Sequence, residues 1–445
     1  MSAAGVKIEL EKLISDYEER NHLSWEMCQR AKHSMPGGNT RSGNWMDPFP
    51  PYIERAEGVY LYDVDGHTLL DFAFNNSSMA LGHAHPAVVE AIQHAATLGT
   101  GYNRPTWAEI EHAELIKDRL PSIETLRFTN SGTESVILAI RAAIGFTGKR
   151  KIGKMEGQYH GTGDHAMVSL TPPLGDASGP ADRPWSVPTS AGLSGAADEV
   201  IVLPFNNLAA CEAILTENVD QLAALLVDPF QTNVGMCIPV SGFHEGLREI
   251  TKRLGIVLIW DEIVSFRVAY NGAQGMLGIT PDLTTLGKVI AGGTAGGVFG
   301  GRADIMEQFS PASGPTIPQA GTFNANPITT AAGIATLRAL TPDVYAKMAA
   351  GSERVTKALS EVFTEAGIEH STNSVGSIFK VYFTGTPPIN YRDTIRDDKA
   401  RMKKLTFWLL NNDIHWQAGG YVSAVTEDRH LDQLVSAVKT AITEI

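Results

Sequence analysis

The feature that most restricts this chain is a set of short apolar runs separated by amphipathic stretches. TLRFT (125–129), ALLVDPF (224–230) and GIVLIWDEI (255–263) run apolar instead of alternating with polar residues. Strands of this kind need cover on both faces, which a parallel sheet flanked by helices supplies. The intervening stretches SVILAIRAAIGF and FHEGLREITKRLG have the period of helices with one buried face. The expected fold class is α/β on a mainly parallel sheet.

The ends of the chain read differently. LEKLISDYEER places Leu10, Leu13, Ile14 and Tyr17 at helical spacing. A Pro/Gly-rich stretch, MPGGNTRSGNWMDPFPP, follows and breaks regular structure. GVYLYDVDGHTLLDFA then alternates around Asp65-Gly66, the pattern of a hairpin. Residues 161–197 are rich in Gly, Pro, Ser and Asp and read as a long loop, of the length usually reserved for function. Beyond 331 the order is helix, VGSIFKVYFT, KKLTFWLLNND and a final helix, a smaller α+β unit. The expected division is therefore 1–75, 76–330 and 331–445.

Charge and cysteine content exclude several classes. A net charge of −13 with no basic run argues against nucleic acid or an anionic membrane as partner. Cys28, Cys211 and Cys237 are too few and too scattered for a disulfide framework or a zinc site. No apolar run approaches the ~18 residues that span a bilayer. Charges interrupt the N-terminal stretch where a signal peptide needs an apolar core. A cytoplasmic location is expected.

Three positions suggest chemistry. Ser131-Gly132-Thr133-Glu134 lies where a strand gives way to a helix, and Ser-x-x-Glu is a capping box. The same exposed amides suit a phosphate, and the two readings are compatible. Asp261 ends the strand IVLIW, at the edge where open α/β sheets bind ligands; capping or an ion pair with Arg267 is the plainer reading. Lys288 lies 27 residues further on, about one strand–helix–strand unit, so it should emerge beside Asp261. A lone lysine is usually a solvated surface residue. Taken together, the three call for a phosphate, a ring nitrogen wanting a carboxylate, and an aldehyde for an amine. Pyridoxal 5′-phosphate (PLP) carries all three.

With MPGGNTRS, GHAHP, NSGTES, GQYHG, WDEIVSFR, LGKVIAGG and GTFNANP in order, the chain resembles the fold-type I, class III aminotransferases. The resemblance is to the branch holding glutamate-1-semialdehyde aminomutases and β-phenylalanine transaminases. It implies a large, mainly parallel seven-stranded domain and a smaller α+β domain from the two chain ends. It also implies that Lys288 holds PLP as a Schiff base and moves a proton between the substrate carbon and the cofactor. Asp261 would pair with the ring nitrogen, and Ser131, Gly132 and Thr133 would grip the phosphate. Tyr159 and Ile263 would cover the two ring faces, and Asn233 would meet the ring hydroxyl. Thr322 would complete the neighbouring subunit's site, making a homodimer the smallest active unit. His83 and His85 of GHAHP read as a turn before a helix instead of a metal pair. His160 is given a structural or cofactor-adjacent role.

Substrate choice lies outside this cradle. Arg41 matches an arginine that reads the substrate carboxylate in β-amino acid transaminases, a job a planar guanidinium suits. Trp45, Met46, Phe74 and Trp416 are candidate apolar pocket walls. Gly419 stands where that type carries a second arginine, and its bareness suggests room for a bulky or less polar substrate. Asp228 departs from the usual Glu-Pro. The expected reaction is ping-pong transfer between a primary amine or β-amino acid and a keto acid or aldehyde. An aminomutase, with 161–197 as a lid, a racemase, and a PLP-binding protein without turnover are the alternatives.

Overall fold

The apolar runs pair into one sheet in the computed structural model, which describes residues 8–314 and 316–445; residues 1–7 of the opening segment and Pro315 lie outside it. The strands are β1 (Thr125–Thr129), β2 (Lys151–Met155), β3 (Val200–Leu203), β4 (Leu222–Val227), β5 (Val257–Asp261), β6 (Leu283–Gly287) and β7 (Gly297–Gly301). Their order is β1-β7-β6-β5-β4-β2-β3. Neighbours from β6 across to β3 are parallel, and β7 is antiparallel to both β1 and β6. This is the seven-stranded, mainly parallel sheet that the resemblance implies.

Every residue of β4 and β5 is buried, because each strand feeds two cores. Ala224, Leu226, Val257 and Ile259 join the cluster with Val136, Ala139, Ile140 and Ala143 of the helix Gly132–Thr147. Leu225, Val227, Leu258 and Trp260 join the opposite cluster with Phe243, Leu247 and Ile250 of the helix Phe243–Leu254. Each fully buried Val, Leu, Ile or Phe among them contributes roughly 1.5–3 kcal/mol.

The chain separates into two compact units. One is Pro86–Tyr345 with Pro388–Ile395, and it holds the sheet just described. The other takes in the chain up to His85, with Ala346–Pro387 and Arg396–Ile445. The division thus falls at 85/86 and 345/346 instead of 75/76 and 330/331. The helix Pro327–Ala339 packs on the helices Pro86–Leu98 and Trp107–Arg119, which draws it into the sheet unit.

In the unit of the chain ends, the hairpin around Gly66 pairs Tyr60–Asp63 with Thr68–Asp71. Ile414–His415 adds in parallel beside it. A second sheet joins Ser371–Val375, Ile378–Tyr382 and Gly419–Tyr421. The helix Leu10–Arg20 buries Leu13 and Tyr17, as its spacing predicts. No helix among the described residues is long and apolar enough to cross a membrane.

Candidate active site

Parallel register brings the predicted residues to one edge of the sheet. Asp261, last in β5, lies opposite Thr285 of β6, and Lys288 follows the last residue of β6. Ser131 follows β1, Tyr159 and His160 follow β2, and Asn233 follows β4, all at carboxyl ends. The spacing between Asp261 and Lys288 therefore reflects a strand–helix–strand crossover.

Lys288 has φ 51°, in the left-handed region that β-carbon crowding disfavours. Its side chain is half-buried, and its ammonium lies deep enough that burial pushes the pKa down to about 8. Asp261 and Asp228 oppose that fall, whereas Arg267 adds to it. The amine is thus held far closer to its neutral, nucleophilic form than a surface lysine is.

Asp261 is buried and fixed on both oxygens. Oδ1 accepts from the Ile263 amide and the Thr285 hydroxyl, both at 3.1 Å. Oδ2 accepts from Nδ1 of the fully buried His160 at 2.7 Å. Thr285 was not singled out in the sequence, and only the β5–β6 register reveals it. Among the described residues, His160 Nε2 is buried without a partner. The next residue after Asp261, Glu262, turns away, accepting from the Ala273 amide (2.6 Å) and from Gln274, and burial pushes its pKa up to about 7.

Ser131 caps the helix Gly132–Thr147, its Oγ accepting from the Glu134 amide at 3.2 Å. The Glu134 carboxylate reaches one residue further back than a standard capping box, to the Asn130 amide at 2.9 Å. The amides of Gly132 and Thr133 open the helix, where no intrahelical carbonyl reaches them. A β-carbon on Gly132 would come within 2.6 Å of Ile263 Cδ1, so only glycine leaves this first turn bare. Thr133 Oγ1 accepts from the Thr162 amide at 3.3 Å, joining the helix start to the turn that carries Tyr159.

That turn is held from three sides. Asn233 accepts from the Tyr159 amide (3.0 Å) and donates to the Gly157 carbonyl (2.9 Å), so its amide braces the turn. Asp228 accepts from the Phe230 and Thr232 amides and the Thr232 hydroxyl, which gives the unusual Asp-Pro a purpose: it shapes the bend ahead of Asn233. Buried Lys154 donates to the carbonyls of Gln158 (2.9 Å), Ala166 (3.2 Å) and Val168 (2.6 Å).

From the third side, Arg392 forks onto Glu156 at 2.8 and 2.9 Å and donates to the Ser178 and Gly179 carbonyls. Tyr391 donates to Pro172 O at 2.7 Å, and its ring occupies the space a β-carbon on Gly157 would need. None of Lys154, Glu156, Tyr391 or Arg392 was visible as a site residue in the sequence. Thr322 is exposed, two residues from Asn324, which accepts from Asn130 Nδ2 at 2.8 Å.

The substrate candidates lie in the other unit. Arg41 lines a cavity of about 510 Å³ with Met46, Asn75, Asn76, His83 and His415. Its Nη1 donates to Asn75 Oδ1 at 2.9 Å. Trp45 is partly exposed and donates to Asp47 Oδ1. Phe74 and Trp416, expected as pocket walls, are core residues, 0% and 2% exposed. The room expected at Gly419 is absent. That residue has φ 134°, is buried, and pairs with Lys380, so a β-carbon there would run into the Phe379 carbonyl. His83 donates to buried Asp71 (2.8 Å), and no cluster of potential metal ligands occurs among the described residues.

The sheet edge thus offers an amine of lowered pKa, a doubly braced carboxylate and a bare helix start, the three groups PLP requires. These groups fit the cofactor that the sequence resemblance implies. The chain belongs to the class III aminotransferases, matching the family described as Aminotransferase class-III over residues 42–398. It is 39% identical over 424 residues to glutamate-1-semialdehyde 2,1-aminomutase 2 of Brevibacillus brevis, covering 93% of this chain and 96% of that protein. It is similar to an omega-transaminase from Sphaerobacter thermophilus, with TM-score 0.91 and 37% identity over 95% of this chain and 97% of that one. It is also similar to a β-phenylalanine aminotransferase from Variovorax paradoxus, with TM-score 0.87 and 34% identity over 97% and 96%. The protein is a PLP-dependent aminotransferase.

Proposed function

We propose that the enzyme transfers an amino group between a β-amino acid or primary amine with an aromatic or bulky side chain and a keto acid or aldehyde, by a ping-pong route. Bound PLP supplies an electron sink for the carbanion left when the donor loses a proton. Lys288 Nζ holds the cofactor and carries that proton. Asp261, steadied by His160 and Thr285, keeps negative charge beside the ring nitrogen. Ser131, Gly132 and Thr133 grip the phosphate, with Thr322 of a second copy in a homodimer. Tyr159 and Ile263 take the ring faces, and Asn233 faces the ring hydroxyl while bracing the Tyr159 turn. Arg41 reads the donor's carboxylate, beside Trp45.

The observation that carries the donor class is Arg41 itself. It lines the cavity, and among the described residues its guanidinium makes one hydrogen bond, to Asn75, and meets no carboxylate. A guanidinium so placed offers its remaining donors to an anion.

A second reading, the glutamate-1-semialdehyde aminomutase type, has support in the 39% identical relative of that name. An aminomutase must retain its intermediate. The candidate lid, 161–197, is fastened at Pro172, Ser178 and Gly179 by Tyr391 and Arg392. Two-substrate kinetics test the choice. Parallel reciprocal plots with an aromatic β-amino acid and a keto acid support transfer, while turnover of a single substrate without acceptor supports the aminomutase.

A further inference from the structure

Residues Phe74, Asn75, Asn76 and Ser77 have φ values of 43°, 48°, 52° and 80°, four successive non-glycine residues in the left-handed region. A turn of this hand crowds each β-carbon against the next carbonyl, so it persists only where its surroundings over-determine it. Here they do. Buried Asp71 accepts from the Ala73 amide (2.8 Å) and the Phe74 amide (3.0 Å), and is itself fixed by His83 and His415. The turn closes through Ser77 N to Ala73 O and Met79 N to Phe74 O. Phe74 is fully buried and stacked on His83.

This strain places two amides on the wall of the Arg41 cavity. Asn75 Nδ2 donates to Ser78 Oγ at 3.0 Å, and Ser78 Oγ donates back to the Asn75 carbonyl. The amide is therefore locked with Oδ1 toward the Arg41 guanidinium. Asn76 Nδ2 donates to Asn44 Oδ1 at 3.0 Å, tying the Arg41 loop to the same turn. Asn39 Oδ1 accepts from the Arg41 amide at 2.9 Å.

Building on the carboxylate reading of Arg41, we infer that the left-handed turn Phe74–Ser77 is a specificity device. Asn75 is a positioning residue that sets the guanidinium of Arg41 to receive a carboxylate, so the turn selects carboxylate-bearing amines over simple amines. It acts on recognition of the donor, leaving proton transfer alone.

The holoenzyme is assayed with two donors differing only in the carboxylate, a 3-amino-3-arylpropanoate and the matching 1-arylpropylamine. The key variant is Asn75→Gly, because glycine takes φ 48° without strain and the fold is not at risk. KM for the acid should rise about tenfold, the size of one charge-assisted hydrogen bond. Its kcat should stay within about twofold, and KM for the amine should not move. Asn75→Ala should show the same split. Arg41→Ala separates the two claims. If it is selective against the acid and Asn75→Gly is not, the role of the turn is overturned. If Arg41→Ala affects both donors alike, the carboxylate reading falls and this inference with it.

Discussion

Lys288 combines a left-handed φ with a pKa lowered to about 8, two marks of a residue held for reaction. Lys288→Ala should abolish amino transfer, by more than the ~10²–10⁴-fold that an acid–base group alone supplies. Dialysis should show PLP still bound, without its visible Schiff-base band. The lowered pKa gives a second expectation. Only the neutral amine attacks an aldehyde, so reconstitution of the apoprotein with PLP should quicken as pH rises and level off above about 8. A rate still climbing at pH 10 would mean that the lysine titrates like a surface residue. The placement of Lys288 and Asp261 at one sheet edge was legible in the sequence because each directly ends or follows an apolar strand. Thr285 and His160 were not recognisable as partners of Asp261, since contacts across 24 and 101 positions exist only once the strands are in register.

At the scale of elements, the turn Gly157–His160 owes its place to neighbours from distant parts of the chain. The clip of Tyr391 and Arg392 joins it to the 172–179 stretch. Arg392→Ala would leave Glu156 buried without its ion-pair partner, at a cost of ~3–5 kcal/mol. Chymotrypsin cleavage after exposed Trp185 should then accelerate, by about tenfold for each 1.4 kcal/mol of local stability lost. Unchanged cleavage would show that the clip does not hold the loop. Strands and helices with a single strong period were readable in advance: β1 matched residue for residue, and the Gly66 hairpin formed as expected. The run ALLVDPF was read too long, because Asp228 turns the chain out of the sheet by capping its own bend. The left-handed turn at 74–77 gave no warning, since no glycine marks it.

At the scale of the molecule, composition and period were enough for the α/β class and the covered sheet, because burial on both faces leaves a plain apolar signature. The unit boundary was less legible: it depends on which helices Pro327–Ala339 packs against, a tertiary choice. The sheet unit exposes Leu98, Trp107 and Phe323, large apolar side chains of the kind a second copy would cover. If Thr322 completes a partner's phosphate site, as proposed, dilution past dimer dissociation should weaken PLP retention. Thr322→Ala should do so without dilution, by roughly tenfold in Kd. Sedimentation together with PLP titration checks both, and a monomer retaining PLP fully would refute the shared site.

Transfer of an amino group out of a β-amino acid can be followed in one half-reaction. Holoenzyme is mixed with an excess of 3-amino-3-arylpropanoate and no acceptor, and the visible band and released carbonyl are followed together. The band should bleach as one equivalent of 3-keto acid, or its decarboxylation product, appears per subunit, and then stop. A band that persists while the donor is isomerised, or unbleached through the whole series of β-amino acids and arylalkyl amines, would contradict it.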